Sequence, residues 1–174
     1  MELLDIMQVR RSVRNYTDEP IPEEKLALIL KAGLLSPSGR NIKPWEFILV
    51  RDKNMLRKLA DCRPVGSGIL AGANAAIVVL GDTTATDVWT EDCSIAMTQM
   101  HLMADCLGVG SCWVQGRLRP SPDGRTAEAV VKELLEVPEK YSLEAILCLG
   151  MPKKHPEAHT LEDLPMEKVH SEVF

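Results

Sequence analysis

The chain has 174 residues, 45% hydrophobic and 26% charged, which suits one compact domain with its own core and excludes a disordered or low-complexity segment. Its net charge of −5 at pH 7 argues against wholesale nucleic-acid binding, because proteins that face polyphosphate carry a basic excess. No apolar run approaches the roughly 20 residues that span a bilayer, and Glu2 and Asp5 stand where a secretory leader would be basic, so a cytoplasmic protein without membrane contact is expected.

Leu3, Leu4, Ile6 and Met7 fall near one helical face, which predicts a short amphipathic helix over residues 2–9 that ends at Arg10 and Arg11. Arg10, Arg11, Ser12, Val13 and Arg14 then place three guanidinium groups and a hydroxyl within five residues, with no competing acid. Such a cluster is either a solvated helix end favoured by the macrodipole or an anion cradle for a phosphorylated ligand. Pro22 opens a second helix whose apolar stripe is Leu26, Ile29, Leu30 and Leu34. That helix stops near Ser36, because Pro37, Ser38 and Gly39 form turns and Pro44 blocks further helix.

Trp45 to Val50 reads as a buried strand, and Asp52 as the cap of a helix with Met55, Leu56 and Leu59 on one face. Gly66, Gly68 and Gly72 have the spacing G-x-G-x-x-x-G and do not follow a strand directly, so they fail as a dinucleotide fingerprint and are expected to form a flexible connection. Ala75 to Leu80 is a central strand closed by Gly81 and Asp82. Thr83 to Thr90 is a surface segment, with Trp89 packed on the domain or covering a pocket.

Cys93 to Leu107 is the central helix, with Ile95, Ala96, Met100, Leu102, Met103, Cys106 and Leu107 covering more than half its circumference, a sign of burial on both sides. His101 reads as a satisfied core or interface histidine. Gly108 and Gly110 end that helix, and Ser111 to Val114 form a strand leading to Gln115, Gly116 and Arg117. Gly116 would permit close backbone approach to a flat ligand. After a turn over 120–124, Thr126 to Val137 is a helix with Ala129, Val130, Leu134 and Leu135 inward, and Leu143 to Leu149 is the last strand. Beyond Gly150 the prolines and mixed charge predict an extended arm that lies on its own surface or a partner's. Strands alternating with helices give an α/β or α+β domain with helices on both faces of a sheet.

Cys62, Cys93, Cys106, Cys112 and Cys148 are odd in number and form no CxxC pair, so reduced, buried thiols are expected. There is no HExxH, no metal-spaced Cys/His set and no GxSxG elbow. An enzyme built this way borrows its reactivity from a cofactor.

The pairing of Arg10-Arg11-Ser12-Val13-Arg14 with Ser36-Pro37-Ser38-Gly39-Arg40-Asn41-Ile42-Lys43-Pro44-Trp45 resembles the signature of the nitroreductase family of FMN-dependent flavoproteins. The resemblance extends through the central helix, the turn at 108–113 and Leu149-Gly150-Met151-Pro152. It implies a single α+β domain over 1–174: a three-layer core over 1–150, with a central mixed sheet flanked by helices, and an arm over 151–174 that reaches onto the partner subunit of a homodimer. Two FMN molecules would lie at the interface. Arg10 and Ser12 would hold the phosphate or ribityl chain, with Arg11 adding backbone contacts and Arg14 approaching the N1/O2 edge of the ring. Pro37, Ser38, Gly39 and Asn41 would come from the other chain. Val114, Gln115 and Gly116 would lie against the isoalloxazine, with a backbone N–H directed at N5.

The implied activity is ping-pong hydride transfer from NADH or NADPH through FMN to a small electron-poor acceptor such as a nitroaromatic, a quinone or a free flavin. The catalytic chemistry belongs to the cofactor and no metal is needed. Alternatives that keep the fold are a specialised FMN enzyme, such as a dehalogenase or flavin-modifying enzyme, and a flavin-binding protein without turnover. Two departures stand out: Lys43 occupies a position where the family commonly has Gln, and the basic tail residue of many members falls near Ala158 and His159. Lys154, His155, His159 and Arg117 are the candidates for a remaining phosphate contact.

Overall fold

The computed structural model describes residues 2–174; Met1, where the expected domain begins, lies outside the described residues. Four strands, β1 (Trp45–Val50), β2 (Ala75–Asp82), β3 (Gly110–Gln115) and β4 (Tyr141–Gly150), form one sheet in the order β1-β2-β4-β3. All three strand pairs are antiparallel, and parallel pairing among the described residues is confined to a bridge between Ser12 and Ser111. The sheet is therefore antiparallel where a mixed one was expected.

The described residues form five α-helices: α1 (Leu3–Val9), which packs on α4, α2 (Glu23–Leu34), α3 (Lys53–Ala60), α4 (Trp89–Cys106) and α5 (Ala127–Leu135). α3 and α5 pack on one face, where Leu56, Leu59 and Val131 meet Val78, Ile146 and Cys148. α2 and α4 cover the other, where Ile29, Met97 and Met100 meet Ile77, Val79 and Leu147. Both faces of β2 and β4 are thus dry, which accounts for their nearly continuous apolar runs. The expected three layers are present.

The caps follow the sequence: Asp52 accepts from the Met55 amide at 2.7 Å, and Thr126 from the Ala129 amide at 3.1 Å. Several stripes are rotated from expectation. In α2, Ala32 and Gly33 are buried and Leu34 is exposed, because Gly33 lets Met100 and Phe47 close on the backbone. In α5, Ala127 and Val131 are the fully buried positions. α4 starts at Trp89, four residues before the expected Cys93, and buries Asp92 and His101 while Ile95 and Cys106 stay exposed. The connection at the three glycines is a packed turn over Gly68–Gly72, anchored by fully buried Leu70 and by Ser67 Oγ donating to the Ala60 carbonyl at 2.6 Å.

The four other cysteines are buried and no disulfide is present among the described residues; burial pushes the Cys93 and Cys148 thiols up to about 12. No described helix is long and apolar enough to cross a membrane, and no group of metal-ligating side chains is found among the described residues. The arm beyond Gly150 runs back along residues 8–17. Thr17 donates to the Met151 carbonyl at 2.8 Å, Lys153 to Asn15 at 3.1 Å, and the His159 amide to Gln8 at 3.0 Å. From Leu161 onward every residue is exposed.

Candidate functional site

Residues 10–14 leave α1 as an extended segment docked on the free edge of β3. The Val13 amide donates to the Ser111 carbonyl at 2.9 Å, and Val13 is buried against Gly110. A Cβ on Gly110 would sit 2.8 Å from Val13 Cγ1, so only glycine lets the segment approach this closely. Tyr16 closes the dock from the other end: its hydroxyl donates to the Val13 carbonyl at 2.6 Å and its ring lies over Gly150.

This docking gives the three arginines different partners. An Arg10 Nη lies 3.0 Å from His101 Nε2. Arg11 donates to the Glu157 carbonyl of the arm. Arg14 is exposed, with only a 3.4 Å contact to the Ser12 carbonyl. Arg10 and Arg14 therefore retain N–H donors on either side of Ser12, a set that fits a phosphate monoester. Arg11 is committed to the arm.

Imidazole His101 is buried, and its Nδ1 bonds Ser111 Oγ. Because a guanidinium can only donate, Nε2 must be the accepting nitrogen, and the ring proton sits on Nδ1 facing the serine. Burial first, and then the Arg10 charge, lower the His101 pKa to about 4, in keeping with this neutral tautomer.

Pro37, Ser38, Gly39 and Asn41 lie in a tight turn in which Arg40, Asn41 and Lys43 all have left-handed backbone, at φ 52°, 58° and 55°. Two bonds hold it: the Lys43 amide donates to Ser38 Oγ at 2.9 Å, and the Gly39 amide to Asp92 Oδ1 at 2.9 Å. Asp92 is 3% exposed, and its Oδ2 has no partner among the described residues. Arg10 meets α4 at His101, nine residues beyond Asp92, a separation of about 13.5 Å along a helix that rises 1.5 Å per residue. Within one chain the two halves of the motif attach to α4 at separate turns, one in its first turn and one past its middle.

Val114 and Gln115 end β3 and Gly116 follows directly, while the 10–14 segment docks at the Gly110–Ser111 end of the same strand. The Gln115 side chain is internally satisfied, accepting from Trp113 Nε1 at 2.8 Å and donating to the Arg117 and Glu144 carbonyls at 3.3 Å. Its own carbonyl accepts from Arg63 at 2.8 Å. The Gly116 amide donates to the Glu144 carbonyl at 3.2 Å, and a Cβ on Gly116 would come within 2.4 Å of Leu143. The requirement for glycine at 116 thus comes from packing on β4.

Glu144 stands at a bulge, where β2 slips register between Val79 and Leu80 while pairing with Ala145 and Leu143. Its carboxylate turns to Ser94 of α4 at 3.3 Å, and burial raises its pKa. Asp92 and Glu144 were not singled out by sequence reasoning. Each nonetheless carries a signal: Asp92 falls in phase with buried Ala96 and Met100, and Glu144 interrupts an otherwise apolar strand.

Comparison with known proteins bears on this geometry. A family model described as the nitroreductase family matches residues 7–63 and 63–151. The chain belongs to the nitroreductase family. It is 37% identical, over 98% of its length and 98% of the other's, to an Archaeoglobus fulgidus protein provisionally named NADH dehydrogenase/NAD(P)H nitroreductase. Among solved structures it is similar to an FMN-dependent nitroreductase of Clostridium difficile R20291, with a TM-score of 0.96, 42% identity and coverage of 98% of this chain and 99% of that one. A Desulfovibrio desulfuricans protein provisionally named as a nitroreductase and solved in complex with FMN superimposes with a TM-score of 0.77 at 28% identity, covering 98% of this chain and 99% of that one. Membership of the family and its α+β fold agree with the sequence resemblance.

Proposed function

We propose that the chain is an FMN-dependent NAD(P)H oxidoreductase that passes reducing equivalents to a small electron-poor acceptor by a ping-pong mechanism and works as a homodimer. The observation that carries this reading is the separation of the site halves: an arginine cradle and a preformed small-residue loop, attached to α4 about 13.5 Å apart, are useful together only if a second copy supplies one of them. The FMN-dependent relatives at 42% and 28% identity support the choice of ligand. When bound, FMN supplies the redox chemistry by accepting hydride from a nicotinamide and releasing the reducing equivalents to the acceptor.

The chain's own residues bind and orient. Arg10 and Ser12 offer donors to the phosphate, and exposed Arg14 supplies positive charge toward the edge of the ring where negative charge accumulates on reduction. Pro37, Ser38, Gly39 and Asn41 extend from the other copy as a rigid turn, and Val114 to Gly116 form a wall tied to β4 through Glu144. The arm over 151–174 embraces the partner through its exposed part from 161 onward, and 1–150 is the core of the single domain. Lys43, in left-handed backbone beside the loop, and Trp89, whose ring lies 5.8 Å from the Arg117 guanidinium, border the acceptor side.

Purified protein is expected to be yellow, to sediment as a dimer, and to lose its flavin absorbance on anaerobic addition of NADH or NADPH. A colourless protein that ignores added FMN overturns the reading. Bound flavin that neither nicotinamide reduces leaves binding and removes the oxidoreductase.

A further inference from the structure

Arg10, a half-buried residue of the cradle, is held by a side chain outside the cradle. His101 projects from α4, and its two ring nitrogens are both used: Nε2 faces Arg10 at 3.0 Å and Nδ1 faces Ser111 Oγ. Ser111 is itself the residue whose carbonyl receives the Val13 amide, so one β3 position anchors both the backbone of the cradle and the imidazole behind it. Asp105, one turn further along α4, does not compete for the guanidinium through Oδ1, because that oxygen lies 2.8 Å from His155 Nε2 of the arm. A free arginine side chain gives up rotamer freedom when it is fixed on a ligand. Here part of that ordering is already done by the fold.

We propose that His101 is the positioning residue of the anion cradle: it aims the Arg10 guanidinium through Nε2, with Ser111 fixing the ring, so that ligand affinity at Arg10 depends on a histidine that never touches the ligand. The proposal rests on the FMN reading above.

The test is a double-mutant cycle read as FMN affinity, from the quenching of flavin fluorescence on titration into flavin-stripped protein, with a melting curve for every variant. His101→Leu weakens binding about tenfold, the scale of one hydrogen bond to a charged group. His101→Gln keeps an acceptor and recovers most of the loss. In an Arg10→Ala background, His101→Leu adds no more than about twofold, because nothing is left to aim. An unchanged affinity in His101→Leu, or the same loss with and without Arg10, overturns the proposal and leaves the FMN reading standing. Failure of the wild-type protein to bind FMN overturns the reading itself. If His101→Leu does not fold, the cycle is run with Ser111→Ala and Arg10→Ala, where a smaller loss must likewise vanish without Arg10.

Discussion

A buried imidazole with a guanidinium on one nitrogen and a hydroxyl on the other has one comfortable protonation state. Burial penalises the charged ring, and a proton on His101 Nε2 would also face the Arg10 donor, so the folded pKa drops to about 4 from 6.5. Neutral His101 stabilises the fold fully above the unfolded pKa, and that contribution is lost as pH falls from about 6.5 toward 4. The loss amounts to roughly 3 kcal/mol over the window. Urea unfolding at pH 7 and pH 5 should show the slope, and the His101→Gln variant should lack it; equal slopes would mean that His101 is not held neutral. Glu144 works in the opposite direction, since its raised pKa favours the protonated acid, so the comparison between variants is what isolates the histidine. The same scale separates three arginines that look equivalent in sequence: Arg10 is set by His101, Arg11 is spent on the arm, and Arg14 is open.

Among the elements, the free edge of β3 decides where the cradle sits. Gly110→Ala would put a Cβ 2.8 Å from Val13 and 3.1 Å from the Gly150 carbonyl, and the backbone contact cannot be relieved by a side-chain rotation. We expect a stability loss of about 1–3 kcal/mol, the usual range for overpacking, accompanied by weaker FMN binding. Denaturant midpoints and flavin titration on one preparation would show both, and a variant with wild-type values would mean that the segment shifts freely. The turn over 38–43 shows how far local sequence reaches. Its small residues and Pro44 mark a turn, yet three non-glycine residues in it are left-handed, and one of the two bonds that hold it comes from Asp92, an acid 53 positions beyond Gly39. Composition does not encode that partnership.

For the whole molecule, the decisive relation is the span of α4 between Asp92 and His101. An apolar groove of about 330 Å³, lined by Leu3, Ile6, Ala32, Leu35, Gln99, Leu102, Met103 and Cys106, lies beside that helix. Exposed Leu164, Met166, Val169, Val173 and Phe174 follow in the arm. Such apolar surface is costly in a solitary chain and suits the proposed dimer. Removing residues 161–174 should leave the fold intact, because none of them is buried, while weakening dimerisation and FMN binding together. Circular dichroism and sedimentation velocity would read this; a truncated chain that dimerises like the full one would show that the arm lies on its own subunit.

The amino-acid sequence by itself determined the order and type of the principal elements, because alternating apolar runs, Asp52 and Thr126 caps and proline breaks are local signals that act within a turn or a strand. It also displayed both halves of the candidate site as motifs, and the family through their pairing. Tertiary packing alone decided which arginine meets His101 and which the arm, that Gly116 packs on β4, that the glycine connection is packed, and that Asp92 and His101 bond the two motifs. Those outcomes depend on residues distant in the chain meeting at one helix, and a hydrogen bond across such a distance leaves no period or spacing in the sequence.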